Sequence, residues 1–262
     1  MTTGNETIST AASGNVSVAG KTVFVVGATS SLASAICHVL AAQGYGLTLS
    51  GRDEEELDLL ASDLVIRHNI PCTTLAADFT ADYFTAESFL ASAGACDHIL
   101  IATGTMGSGD PLSLTDIAFT SHINYTLPAQ IATLAAIALS EKGGGSIAIL
   151  SSVAGDRGRR SNYAYGAAKA ALTAFASGLR NYFHRHGVHV MTVKPGFIDT
   201  PMTWGQEKIN QSKLIASREY AAQKIVEALH ERRDVVYVPF FWRYIMMVIC
   251  AIPEWVFKRL KL

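Results

Sequence analysis

The chain has 262 residues, 49% hydrophobic and 16% charged, with 21 Lys and Arg against 22 Asp and Glu for a net charge of -1. That length suits one α/β domain with a substantial core, and the near-neutral balance gives no electrostatic basis for binding nucleic acid. A charged fraction below the usual ~25% points to surface withdrawn into a homo-oligomer or against lipid.

Residues 1–19 are small and polar and lack the basic and apolar blocks of a secretory signal; they read as a flexible tail. Cys37, Cys72, Cys96 and Cys250 keep no metal-type spacing, as expected of reduced thiols inside a cell. From residue 20 to 240, short β-branched runs alternate with helix-patterned segments. "KTVFVVG" predicts a strand, and "LASAICHVLAAQG" a helix with a glycine stop. "GLTLSGRD" predicts a second strand, and "EEELDLLASDLVIRHN" a helix whose acidic first turn suits the macrodipole. Strands are expected again at "CTTLAAD", "CDHILIAT", "GSIAILSS", "VHVMTVKPG" and "DVVYVP". About seven strands with interleaved helices imply a doubly wound parallel sheet in a single α/β domain. Ligands of such a sheet lie beyond the carboxyl ends of its strands.

The turn after the first strand, Gly27 to Ala33, is where small residues let backbone N–H groups and a helix N-terminus meet a pyrophosphate. Gly27, Thr29, Ser30 and Leu32 are the candidate contacts, although only Gly27 of the usual three glycines is present. The second strand ends at Arg52 with no carboxylate for a ribose diol, so NADPH is favoured over NADH; the alternative is a solvated loop arginine. Asp78 could accept from an adenine amino group or cap a helix.

At the other end, Tyr165 and Lys169 stand four apart on one helical face, and Ser152 closes a strand. "YGAAK" at 165–169, Ser151-Ser152, Asn124 in "HINYT" and "PGFIDTP" at 195–201 resemble the short-chain dehydrogenase/reductase family. The resemblance implies a Rossmann sheet, an NAD(P)H cofactor and a catalytic set of Asn124, Ser152, Tyr165 and Lys169. It further implies that Ile198 and Thr200 hold the nicotinamide carboxamide. Tyr163 is set aside, since only Tyr165 has a lysine four residues on. In the implied roles Tyr165 supplies the proton, Lys169 lowers the phenol from its ordinary pKa of ~10 and holds the nicotinamide ribose, Ser152 orients the carbonyl, and Asn124 places a water. Where the family usually has an N-[NA]-A-G run, this chain has Ile101-Ala102-Thr103-Gly104, which leaves Gly104 as the matching cofactor contact.

The histidines of "HRHGVH" (His184, His186, His189) read as a helix-end cluster, so no metal is expected. Arg157, Arg159 and Arg160 fall on a loop between Ser152 and Tyr165; they form either a solvated turn or a contact to a substrate phosphate. Residues 241–262 predict a helix of about 18 Å over 241–252, too short to span a bilayer. A break at Pro253 and a short second helix ending in Lys258 and Arg259 follow. This segment reads as an interfacial element with Trp242 and Trp255 at headgroup level, or as a cover for a subunit interface or the cleft. "SGLRNYF", "MTVKPGFIDTPMT" and the tail also resemble the reductases paired with a flavin oxidase in decaprenylphosphoryl ribose 2-epimerisation. That resemblance implies a keto sugar on polyprenyl phosphate, a flavin oxidase partner and a peripheral place at the inner membrane face. Two other readings stay open: a reductase of small soluble ketones, and a non-catalytic nucleotide-binding scaffold.

Overall fold

The computed structural model describes residues 20–78, 93–107, 113–201 and 214–260. The expected tail at 1–19 and the last two residues of the expected interfacial segment, Lys261 and Leu262, lie outside the described residues.

The strands β1 (Thr22–Val26), β2 (Gly46–Gly51), β3 (Cys72–Ala76), β4 (His98–Ile101), β5 (Gly145–Leu150), β6 (Val188–Pro195) and β7 (Val235–Val238) form one sheet of order β3-β2-β1-β4-β5-β6-β7. Every pairing is parallel. The inner strands are buried on both faces, so apolar runs replace alternation there, whereas the edge strand β3 is only partly buried. In β1, Val23 and Val25 point to one layer and Phe24 and Val26 to the other, as a period of two requires.

One layer holds α1 (Ser31–Ala42), α2 (Glu54–His68) and α6 (Arg218–His230), which bury Ile36, Leu40, Leu57, Leu64, Ile225 and Leu229 against the sheet. The opposite layer holds α4 (Leu127–Glu141) and α5 (Tyr163–Phe183), with Ile131, Leu139, Leu172 and Leu179 inward. Each such side chain contributes roughly 1.5–3 kcal/mol on burial. Helix α3 (Leu114–Ser121) runs through a π-turn at His122–Thr126 into α4. The continuous helical run Leu114–Glu141 is long and apolar enough to cross a membrane, but 56% of its apolar window is buried in the protein.

The winding reverses between β1 and β4, and register places Val26 beside both Ser50 and Ile101 at the carboxyl edge. The segments after β1, β4, β5 and β6 therefore open into one crevice. Beyond β7, α7 (Trp242–Ala251) ends at Ile252, and Pro253 starts α8 (Glu254–Phe257). Trp242 and Met246, four apart on one face of α7, pack with Val153 and Phe197 into a third small core.

Candidate active site

The crevice is a cavity of about 380 Å³, bounded by the turns after β1, β4, β5 and β6. On the β1 side, Gly27 has φ +79°, and a Cβ there would stand 3.1 Å from the Ala102 carbonyl. Its N–H donates to Ser50 O at 2.8 Å, so the turn is pinned to β2. Ser30 caps α1 by accepting from the Ala33 N–H at 3.4 Å. Thr29, Ser30, Ser31 and Leu32 thus bring a helix N-terminus to the cavity wall, where the unpaired N–H groups of a first turn attract phosphate. This cradle fits a dinucleotide with a single glycine, because the positive φ falls at Gly27 and Ser30 needs only an extended backbone.

The chemical side is built by a close approach. A Cβ on Gly155 would lie 2.7 Å from the backbone of Lys169, so glycine there lets the Val153–Gly155 turn press against α5. Ser152 is thereby brought into hydrogen-bonding contact with the Tyr165 hydroxyl, while its Oγ also accepts from the Ala154 N–H at 3.0 Å. Ser151 stays behind the wall, its Oγ donating to Lys169 O at 3.0 Å.

Lys169 is buried and donates to Leu150 O at 2.9 Å and Thr103 O at 3.3 Å. An ammonium has three donors, which leaves one for the cavity that Lys169 lines. Burial pulls its pKa down to about 7. The expectation that Lys169 lowers the Tyr165 phenol is not met by the polypeptide alone. Burial raises the phenol, and the influences opposing it are the Ser152 hydrogen bond and the charge of Arg159. Lys169 is turned toward two carbonyls, with Nζ 5.9 Å from the tyrosine ring centre.

Asn124 sits fully buried in the π-turn, an arrangement often found at functional sites. Its amide donates to Thr105 O and Thr120 O, both at 2.8 Å, and accepts from the Thr105 N–H at 3.1 Å. The side chain anchors the segment carrying Gly104, whose Cβ position is 3.1 Å from Asn124 Oδ1. Thr103, Gly104, Ser152, Tyr165, Lys169, Ile198 and Thr200 all line the cavity. Arg52, exposed past β2, and Asp78, past β3, stand outside that lining.

Pro195, Gly196, Leu150 and Pro201 also line it. Pro195, Gly196 and Pro201 belong to the "PGFIDTP" run that carries the resemblance, whereas Leu150 has no functional group and only its place at the end of β5 could have flagged it. Among the described residues no group of His, Cys, Asp or Glu is arranged to hold a metal. His184 and His186 form a single 3-10 turn, and His189 lies in β6 with Nε2 3.1 Å from Arg233 O.

Behind Ser152 the loop is tied to the tail. Arg157 donates to the carbonyls of Ile249, Cys250 and Ile252 at 2.6–3.0 Å, pairs with Glu254 at 2.9 Å and stacks on Phe257 at 3.8 Å. It therefore closes the carboxyl end of α7, whose last carbonyls otherwise lack partners, and is neither a solvated turn residue nor a phosphate ligand. The neighbouring Asp156 accepts from Lys194 at 2.5 Å and from Tyr237 at 3.0 Å. Burial opposes the Lys194 charge, but the Asp156 carboxylate outweighs it and holds that ammonium above its ordinary pKa.

A short chain dehydrogenase profile matches residues 21–211. An uncharacterized oxidoreductase of Mycobacterium tuberculosis is 31% identical over 245 residues, covering 91% of this chain and 96% of that protein. A short chain dehydrogenase from Burkholderia cenocepacia, solved in complex with NADP, superposes with a TM-score of 0.76 at 22% identity, covering 94% of this chain and all of that one. L-sorbose reductase from Gluconobacter frateurii, solved with NADPH and L-sorbose, superposes with a TM-score of 0.72 at 20% identity over 84% of this chain and 95% of that one. With the profile spanning both the cradle at Gly27 and the Tyr165–Lys169 helix, this chain belongs to the short-chain dehydrogenase family and is an NAD(P)-dependent oxidoreductase.

Proposed function

We propose that this protein reduces a keto group on a pentose carried by polyprenyl phosphate, giving an arabinose-type product, with NADPH as its preferred reductant. The observation that carries this reading is the tail: one face of α7 is locked to the catalytic loop, and the other is apolar and open. Tyr244, Met247 and Val248 are each more than half exposed, as are Phe240 and Trp255. Contiguous exposed apolar side chains of this kind mark interaction surfaces. Exposed Arg243, Lys258 and Arg259 border them, the pattern of an element lying in an anionic lipid interface. A substrate whose carrier lies in the bilayer would be presented beside the crevice at the inner membrane face.

NADPH, when bound, supplies the hydride. Tyr165 donates the proton to the carbonyl oxygen, and Ser152, already hydrogen-bonded to the phenol, orients that oxygen and stabilises its developing charge. Lys169 holds the nicotinamide ribose with its remaining N–H. Asn124 fixes the Gly104 segment and with it the water path behind Lys169. Gly27, Thr29, Ser30 and Leu32 would seat the pyrophosphate and Ile198 and Thr200 the carboxamide, while Asp78 and Arg52, beyond the crevice lining, would meet the adenine and the 2′-phosphate that distinguishes NADPH. The NADP- and NADPH-bound neighbours, one of them with a ketose, support that choice of cofactor and carbonyl class. A flavin oxidase would supply the keto sugar, and a homo-oligomer would bring several tails to one membrane surface.

The test is turnover with a lipid-linked keto-pentose against its soluble analogue. We expect a preference for the lipid-linked form of about tenfold or more, equivalent to ~1.4 kcal/mol. Equal turnover with both would overturn the lipid-carrier reading.

A further inference from the structure

A second cavity of about 380 Å³ opens between the segment that precedes α5 and the end of the tail. Four cations line it: Arg159 and Arg160 from the segment, Lys258 and Arg259 from the tail. Its carboxylate, Glu254, is engaged by Arg157 at 2.9 Å. The nearby Asp156 is likewise occupied, by Lys194 and Tyr237. Arg159 Nε is buried with no hydrogen-bond partner, and such a donor is costly to leave unmet. Among the described residues, the cluster thus holds more positive charge than is neutralised and a donor that is not satisfied.

We propose that this cavity binds a phosphate ester. Guanidinium forks match phosphate oxygens two at a time, and flanking ammonium and guanidinium groups at Lys258 and Arg259 meet the remaining charge. The site would lie next to the chemistry, because Arg159 and Tyr165 are close enough to act on each other electrostatically. It is also completed only when the tail is seated, since half of its cations come from residues 258 and 259. The inference stands on this cavity and not on the keto-sugar reading, so either can fail without the other.

A substrate phosphate and a lipid headgroup share this chemistry, and both are tested by binding and not by turnover. The full chain is saturated with NADP⁺, so that the dinucleotide turn is filled, and titrated with inorganic pyrophosphate at fixed ionic strength. Wild type should bind, and Arg160→Gln/Lys258→Gln/Arg259→Gln should bind about tenfold more weakly or worse. The single variants Arg160→Gln and Lys258→Gln, both at exposed positions, serve if the triple variant melts early. No binding by wild type, or equal binding by wild type and variants, overturns the site. Phosphatidylglycerol vesicles separate the sources: displacement of the protein by pyrophosphate assigns the cavity to the headgroup, and pyrophosphate binding that leaves vesicle attachment intact assigns it to a substrate phosphate.

Discussion

At the scale of single residues, the site is held by groups that have no other place to go. Tyr165 is buried, and its hydroxyl meets Ser152. Tyr165→Phe removes only that hydroxyl, so NADPH fluorescence on binding should persist while turnover falls by about 10²–10⁴, the usual worth of a general acid; undiminished turnover would refute the assignment. Lys169 gives a prediction with a defined sign. Its folded pKa is about 7, below the ~10.4 of a free lysine, so folding penalises its charged form. Unfolding takes up a proton between these values, and stability rises with pH across that window. Lys169→Met should accordingly shift the melting temperature upward relative to wild type more at pH 6, where the penalty of the buried charge is complete, than at pH 9; a pH-independent difference would mean that the buried ammonium is not strained. Gly196 is read the same way. A Cβ there would fall 2.0 Å from the Trp242 indole nitrogen, so Gly196→Ala should cost about 1–3 kcal/mol by overpacking. Thermal unfolding of Gly196→Ala, Trp242→Phe and the double variant should show non-additive losses, as contacting positions do.

At the scale of elements, the strand edge and the tail were legible to different depths. The inner strands β1, β2, β4, β5 and β6 announce themselves as largely apolar runs because parallel strands inside a sheet are buried on both faces, while the edge strand β3 shows only as a β-branched run with partly exposed residues. The Tyr165–Lys169 pair was legible because it lies within one helical turn. Arg157 was not, since its hydrogen-bond partners are 92 to 97 residues away and no local pattern encodes them. The π-turn around Asn124 was equally hidden, because its extra residue leaves no mark in a helical pattern. For the tail, the sequence shows an apolar helix but not that it has two apolar faces with separate uses. Met247→Glu/Val248→Glu changes only the exposed face, so the fold should survive while co-sedimentation with anionic vesicles is lost. Retained sedimentation would remove the tail from membrane attachment.

At the scale of the whole molecule, the two ends of the sheet's function meet at one edge. The cradle at Gly27 and the Tyr165 helix lie on either side of the winding reversal, and the segments after β1, β4, β5 and β6 share one crevice. The tail adds a third party by gripping the loop behind Ser152 through Arg157 and Val153. Arg157→Gln should then lower activity without touching the crevice, through a looser Ser152 loop, and its kcat should fall more than the affinity for NADPH. Unchanged kcat would mean that tail seating and catalysis are independent.

The wedge of Trp242 over Gly196 also bears on how such enzymes are recombined. A C-terminal segment grafted from a relative would arrive without the pocket that admits its indole unless glycine at 196 came with it, and without its clamp unless arginine at 157 did. The inheritable unit is therefore a discontinuous set of positions 157, 196 and 242–257, and chimeras cut at the end of β7 should fold only when donor and recipient agree at the first two.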